Sequence, residues 1–265
     1  MAFRKVAENR FGEKKAPAQF FTLNEGQPDE NTPHLELSTM PRLIRLTLVW
    51  VSIFFQLFFG RPICPAIDGK GRRSKAVQNR MKLVILAAGY ATRLYPLTLN
   101  QPKPLLPVAG KPMVDHVLKC LAPIEAIDHV YVVTNEKFAG HFEDWKKVRE
   151  TAEFSAPLTV VNDHSSDDTN KLGAIGDLHL VLKSQNVDDD VIVVAGDNLF
   201  SKGLGEYGRL CAETNAPVLG VYNVGSLEEA TKYGVVESNV EGHIVSFEEK
   251  PAEPKSTLIG IALYH

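Results

Sequence analysis

Three stretches of this chain carry residue types that suit chemistry on a phosphate. In LAAGYATRLYP, from Leu86 to Pro96, Ala87, Ala88 and Gly89 carry nothing larger than a methyl group, and Arg93 follows four residues on. Small residues let a backbone approach a ligand closely. A guanidinium offers a fixed fork of donors that matches phosphate oxygens. Gly196-Asp197-Asn198 presents a carboxylate straight after an apolar run, and Glu248-Glu249-Lys250-Pro251 places an ammonium beside two carboxylates. Each also has a plainer reading. Ala87, Ala88 and Gly89 could make only a tight turn, and Arg93 could be a surface charge. Asp197 could cap a helix, and Lys250 could be solvated.

For these groups to meet, the elements that carry them must converge. From Lys82 onward, KLVIL, HVYVV (129–133), LTVVN (158–162) and VIVVA (191–195) are continuous β-branched apolar runs, the mark of strands covered on both faces. Helix-like segments separate them. In MVDHVLKCL, Met113, Val117, Leu118 and Leu121 form one apolar stripe, and LGAIGDLHLVLKS and LGEYGRLCAET repeat the habit. Alternation of strand and helix implies right-handed crossovers and a mainly parallel sheet. After Pro217 the helices thin out, and PVLGVYNV, YGVVES, HIVSFEEK and LIGIALY read as strands of a mixed or antiparallel extension. Ligands of open α/β sheets lie at the carboxyl ends of the strands. The loop Ala87–Arg93, Gly196-Asp197-Asn198 and the Glu248–Pro251 segment all fall there.

Composition narrows the field. Apolar residues make up 44% and charged residues 23%, as in a soluble globular protein. A net charge of −3 gives no pull toward nucleic acid. Cys64, Cys120 and Cys211 stand far apart without a CxxC pair, so they read as plain thiols of a reducing cytoplasm rather than a zinc site or a disulfide frame. AGKP (109–112) resembles the end of a phosphate-binding Walker loop, but Pro112 replaces its Ser/Thr. GAIGDL (173–178) lacks the GxGxxG spacing. No Ser-His-Asp or Cys-His arrangement can be read out, and His164 in NDHSSDD reads as loop polarity.

The chain divides near residue 80. Residues 1–42 are polar, contain proline and lack periodicity, which reads as disorder. LTLVWVSIFFQLFFG (Leu46–Gly60) is apolar, yet shorter than the roughly 20 residues of a spanning helix. It also begins too late for a signal peptide, which occupies the first ~15–30 residues. Three readings stand for 46–59: a membrane-associated anchor, a helix packed on the main domain, or part of an extension outside the folded unit. GKGRRSKAVQNR reads as a basic linker, and Met81 makes a natural start for a domain covering 81–265.

The stretch LAAGYATRLYPLTLNQPKPLLPVAGKPM (86–113) resembles the opening motif of the sugar-phosphate nucleotidyltransferases, or NDP-sugar pyrophosphorylases. LGAIGDL (172–178), VVAGDNLF (193–200), KYGVVE (232–237) and SFEEKPAEPKSTLIGIALY (246–264) follow in the order of that family. KYGVVE and EEKP lean toward its glucose-1-phosphate thymidylyl- and uridylyltransferases. The resemblance covers about Met81 to His265. It implies a Rossmann-like α/β nucleotide-diphospho-sugar transferase fold. It also implies transfer of a nucleotidyl group from a nucleoside triphosphate to a sugar-1-phosphate, with Mg²⁺ as cofactor and pyrophosphate as the leaving group. Catalysis falls to Arg93, Lys103 and Asp197. Leu86, Ala87, Ala88, Gly89, Arg93, Lys103 and Gly173 hold the nucleotide. Gly234, Glu249 and Lys250 hold the sugar phosphate, and Asp197 is the metal ligand.

Two departures from the family pattern bear on this. Its second loop glycine is Ala91 here, and a methyl group fits if φ at that position stays below zero. The family also continues past the position of His265 and supplies a further metal-binding aspartate there, so the domain is expected to be incomplete at its C-terminus. Base, sugar and any homo-oligomeric state stay open. So do two other functions: a cytidylyltransferase acting on a phosphorylated alcohol such as phosphocholine, and a non-catalytic nucleotide-sugar-binding paralogue.

Overall fold

A computed structural model describes residues 19–23, 80–149, 156–214 and 216–265. The apolar runs form strands β2 (Met81–Leu86), β5 (Ile127–Thr134), β6 (Leu158–Asn162) and β7 (Asp190–Ala195). The later ones form β8 (Val218–Asn223), β9 (Gly234–Ser238), β10 (Ile244–Glu249) and β11 (Leu258–Tyr264). A short hairpin, β3 (Pro107–Val108) with β4 (Lys111–Pro112), leads into the first helix. The helices are α1 (Met113–Leu121), α2 (Ala139–Arg149), α3 (Gly173–Ser184), α4 (Gly205–Glu213) and α5 (Leu227–Ala230).

Strands β7, β2, β5 and β6 lie side by side and parallel. β11 is antiparallel to β7 and β8, and β9 and β10 continue from it antiparallel. This is the parallel sheet with an antiparallel extension expected after residue 217. Leu83, Val84 and Ile85 are all fully buried. Neighbours in a strand face opposite ways, so both faces of β2 are covered. Leu83 and Ile85 join Val114, Val117, Leu118 and Leu121 of α1, while Val84 joins Tyr131, Val133 and Val181 of α3. Burying each α1 side chain contributes at most about 1.5–3 kcal/mol. Asp115 in the first turn of α1 suits the positive end of the helix, and Pro123 follows its last turn.

The disorder expected for residues 1–42 does not hold for Gln19–Leu23. These residues form β1, which pairs parallel with β8 from Gln19 opposite Val218 to Leu23 opposite Tyr222. Leu23 is buried, and the Phe21 ring meets Tyr207 edge-on at 5.6 Å between centroids. QFFTL alternates enough apolar surface to cover the last strand of an open sheet, and that gain outweighs its polar surroundings in sequence. The apolar run 46–59 and Cys64 lie outside the described residues. Among the described residues no helix is long and apolar enough to cross a membrane. Cys211 is buried, its thiol pushed up to about 12 by desolvation, and half-buried Cys120 donates weakly to Phe200 O at 3.6 Å.

Candidate active site

The chain runs from β2 to β5 and β6 on one side, then crosses back to place β7 on the other side of β2. A crevice for ligands opens where such a reversal occurs, at the carboxyl ends of the strands. Here those ends are Leu86 and Ala195, which face one another in register. Gly196 N donates to Leu86 O at 2.9 Å, and Ala87 N to Val133 O at 2.9 Å. A Cβ on Gly196 would stand 3.1 Å from Ile85 Cγ2 and 3.3 Å from both Leu86 O and Pro104 Cγ. The missing side chain therefore lets three segments close up.

The third segment is the 3₁₀ turn Lys103–Leu105, held by Leu105 N to Pro102 O and by Gln101 Nε2 to Leu105 O at 2.8 Å. It carries Lys103 inward. Nζ donates to Asp197 Oδ2 at 2.6 Å, with 6% and 14% of the two side chains exposed. Two residues expected at one site thus form a single ion pair. Asp197 does not cap the following helix, since α4 begins at Gly205 after Leu204.

The loop after β2 is tied down by side chains that sequence reasoning passed over. Fully buried Asn135, at the end of β5, donates Nδ2 to Ala88 O at 2.9 Å and accepts from Phe138 N at 3.1 Å. Tyr90 OH donates to Ser165 O at 2.7 Å and bridges this loop to the segment after β6. Ala87 and Ala88 are buried, while Gly89 is exposed with nothing within 4 Å of where a Cβ would sit. Bare backbone therefore faces solvent, as a ligand-cradling loop requires. Arg93 is exposed within the turn Thr92–Leu94.

The condition under which a methyl group would fit easily at Ala91 is not met. The φ of Ala91 is 47° and its ψ 41°, the left-handed region and not φ below zero. The turn needs this conformation, which glycine adopts without penalty and alanine adopts at a cost of about 1–2 kcal/mol.

Helix α3 opens on Gly173 at φ 73°, where glycine is again the residue that fits. About one turn in from there, Asp177 is 5% exposed and has one oxygen without a hydrogen-bond partner. Burial first, and then the neighbouring Asp163 carboxylate, push its carboxyl up to about 7. Asp163 is itself buried and accepts from Ser165 N at 2.7 Å and Ser165 Oγ at 2.8 Å. His164 is exposed and sits 3.2 Å from Glu136, consistent with loop polarity.

A second cluster lies at the end of β10. Gly234 pairs with Glu249, which belongs to the strand rather than to a segment after it. A Cβ on Gly234 would meet Phe247 Cζ at 2.6 Å and Glu249 Oε2 at 3.1 Å. Both Glu249 oxygens are buried without a hydrogen-bond partner, and burial raises this carboxyl above its ordinary value. Lys250 Nζ stands 3.8 Å away, within ion-pair reach, and 39% of its side chain is exposed. Asn198 links the clusters: its Nδ2 donates to Ile261 O of β11 at 2.7 Å, and β11 pairs with β9 at Ile259 and Val235.

With that geometry in place, comparison with known proteins is decisive. Residues 82–265 match the family described as nucleotidyl transferase. The chain belongs to that family. It is 31% identical over 187 residues to the UTP–glucose-1-phosphate uridylyltransferase AglF of Haloferax volcanii, covering 69% of this chain and 71% of that protein. It is 32% identical over 185 residues to the glucose-1-phosphate thymidylyltransferase of Mycolicibacterium smegmatis, covering 69% and 60%. A solved UDP-glucose pyrophosphorylase with bound UDP-glucose superposes with a TM-score of 0.57 at 21% identity over 70% of this chain and 75% of that one. That likeness speaks for the shared fold.

A family of this kind raises the question of a metal. Among the described residues no group of three or more His, Cys, Asp or Glu side chains converges. Asp197 is a carboxylate just after β7, at the carboxyl end of the parallel strands. One carboxylate fits Mg²⁺, which keeps waters and takes substrate phosphates as its remaining ligands.

Proposed function

We propose that this chain transfers a nucleotidyl group from a nucleoside triphosphate to a sugar-1-phosphate and releases pyrophosphate. The buried Lys103–Asp197 pair, set where the strand order reverses, is the observation that carries this reading. Phosphoryl transfer needs little covalent help from protein. It needs alignment and neutralisation of charge. The backbone of Leu86, Ala87, Ala88 and Gly89, with Gly173 opposite, holds the nucleoside. Arg93 grips the β- and γ-phosphates. A sugar-phosphate oxygen attacks the α-phosphorus, a new P–O bond forms, and the bond to the β-phosphate oxygen breaks. Lys103 neutralises charge on the α-phosphate as this happens. Asp197 would hold Mg²⁺, which supplies further neutralisation of the triphosphate when bound. Gly234 leaves the sugar room, the partnerless oxygens of Glu249 accept from its hydroxyls, and Lys250 binds its phosphate.

A pyrophosphate-release assay over a panel of triphosphates and sugar phosphates tests the reading. Turnover with at least one pair, lost in Asp197→Asn, is the expected result. Equal release by wild type and Asp197→Asn across the panel would reject it.

A further inference from the structure

Thr98 has no part in the chemistry above, yet its burial is inverted. Leu97 and Leu99 are 67% and 45% exposed, while Thr98 between them is 0% exposed. A chain that turns two leucines outward and a hydroxyl inward is placing that hydroxyl. Thr98 Oγ1 donates to Ala91 O at 2.8 Å, and Leu94 N donates to the same oxygen at 2.9 Å. Both lone pairs of that carbonyl are thereby used. Ala91 is the left-handed residue on which the turn bearing Arg93 begins. An alanine stays in that region only where its surroundings hold it there.

We propose that Thr98 is a positioning residue: its hydroxyl locks Ala91 in the left-handed conformation and so sets the direction in which Arg93 presents its guanidinium to phosphate. The aim toward phosphate rests on the nucleotidyltransferase reading. The lock itself does not. Without the donor, Ala91 relaxes toward ordinary φ, the Thr92–Leu94 turn starts at another angle, and Arg93 swings with it.

The test uses Thr98→Val, which keeps the shape and removes the donor, and Thr98→Ser, which restores it. Thr98→Ala serves as a second donor-free variant if valine is not accommodated. In the full chain labelled with ¹³C-alanine, the Ala91 Cα and Cβ shifts report its backbone conformation. Thr98→Val should move them away from left-handed values and Thr98→Ser should leave them in place. Loss of one such hydrogen bond should raise KM for the triphosphate about five- to tenfold, with kcat changed less than about twofold. The serine variant should restore KM. In an Ala91→Gly background Thr98→Val should have a smaller effect, because glycine takes the left-handed turn unaided. Unmoved Ala91 shifts in Thr98→Val overturn the lock, whatever the activity. Moved shifts with an unaltered KM overturn the aiming of Arg93. Wild type that neither turns over nor binds any triphosphate counts against the nucleotidyltransferase reading, and the shifts still decide the lock.

Discussion

Lys103 and Asp197 stand 94 positions apart in sequence and 2.6 Å apart in space, each largely shut off from water. Neither charge could be buried alone at tolerable cost, since breaking such a pair leaves an uncompensated ion. Each also presents the chemistry that a triphosphate and its cation call for. The protein thus holds the two charges proposed for catalysis as a neutral pair, and on that proposal a substrate exchanges partners with them.

That exchange sets the first expectation. Lys103→Met and Asp197→Asn should each reduce kcat by about a hundredfold or more, as for other groups aimed at developing charge. Each should also destabilise the fold by about 3 kcal/mol, whereas the double variant Lys103→Met/Asp197→Asn should lie closer to wild type. Urea unfolding of the four chains measures this. Additive losses in the double variant would show that the two groups do not compensate one another.

Ala91→Gly should stabilise the protein by up to about 1 kcal/mol, since it relieves a left-handed alanine and repays only part of that in chain entropy. Equilibrium unfolding in urea measures the change. A clear loss of stability would mean that the alanine methyl makes contacts worth more than the strain.

Asp177 gives the fold a pH dependence of definite sign. Its carboxyl is held protonated up to about 7 by burial and by Asp163, against an ordinary value of 3.8. Between those values the folded state keeps a proton that the unfolded state has released. Stability should therefore fall as pH rises from about 4 to about 7, by at most roughly 1.4 kcal/mol per pH unit, and then level off. Asp177→Asn should flatten that limb in urea unfolding run at several pH values. An unchanged slope in the variant would place the proton elsewhere.

Gly234→Ala puts a methyl group 2.6 Å from Phe247 Cζ and 3.1 Å from Glu249 Oε2. Overpacking of this kind costs about 1–3 kcal/mol. On the role proposed for Glu249, KM for the sugar phosphate should rise more than KM for the triphosphate. An equal change in both would sever Glu249 from the sugar.

The frame of this molecule is legible in its sequence because burial writes itself into composition. KLVIL and VIVVA are apolar at every position because both of their faces are covered, and the parallel order follows from the helices between them. The rule for carboxyl ends places Asp197, whereas Lys103 is expected beside it only from the family resemblance. Asn135, Tyr90, Ser165 and Thr98 were not legible as parts of the site. Their work is to bond backbone groups far away in the chain, and a polar residue in a loop looks the same whether or not such a partner exists. The sign of φ at Ala91 was not legible for a related reason. Residue type constrains backbone conformation only weakly, and the hydrogen bonds that decide it come from elsewhere. QFFTL was missed because five residues in a polar stretch carry too little pattern to stand out.

That small strand has a consequence for how the protein is made. β1 pairs Gln19 with Val218, so this strand waits for one that follows roughly 200 residues later. At ~5–20 residues per second, that is on the order of ten seconds or more during which Phe20 and Phe21 have no sheet to join. That edge of the sheet closes only after β8 has emerged, and a ribosome-bound intermediate should carry β2, β5, β6 and β7 before it carries β1.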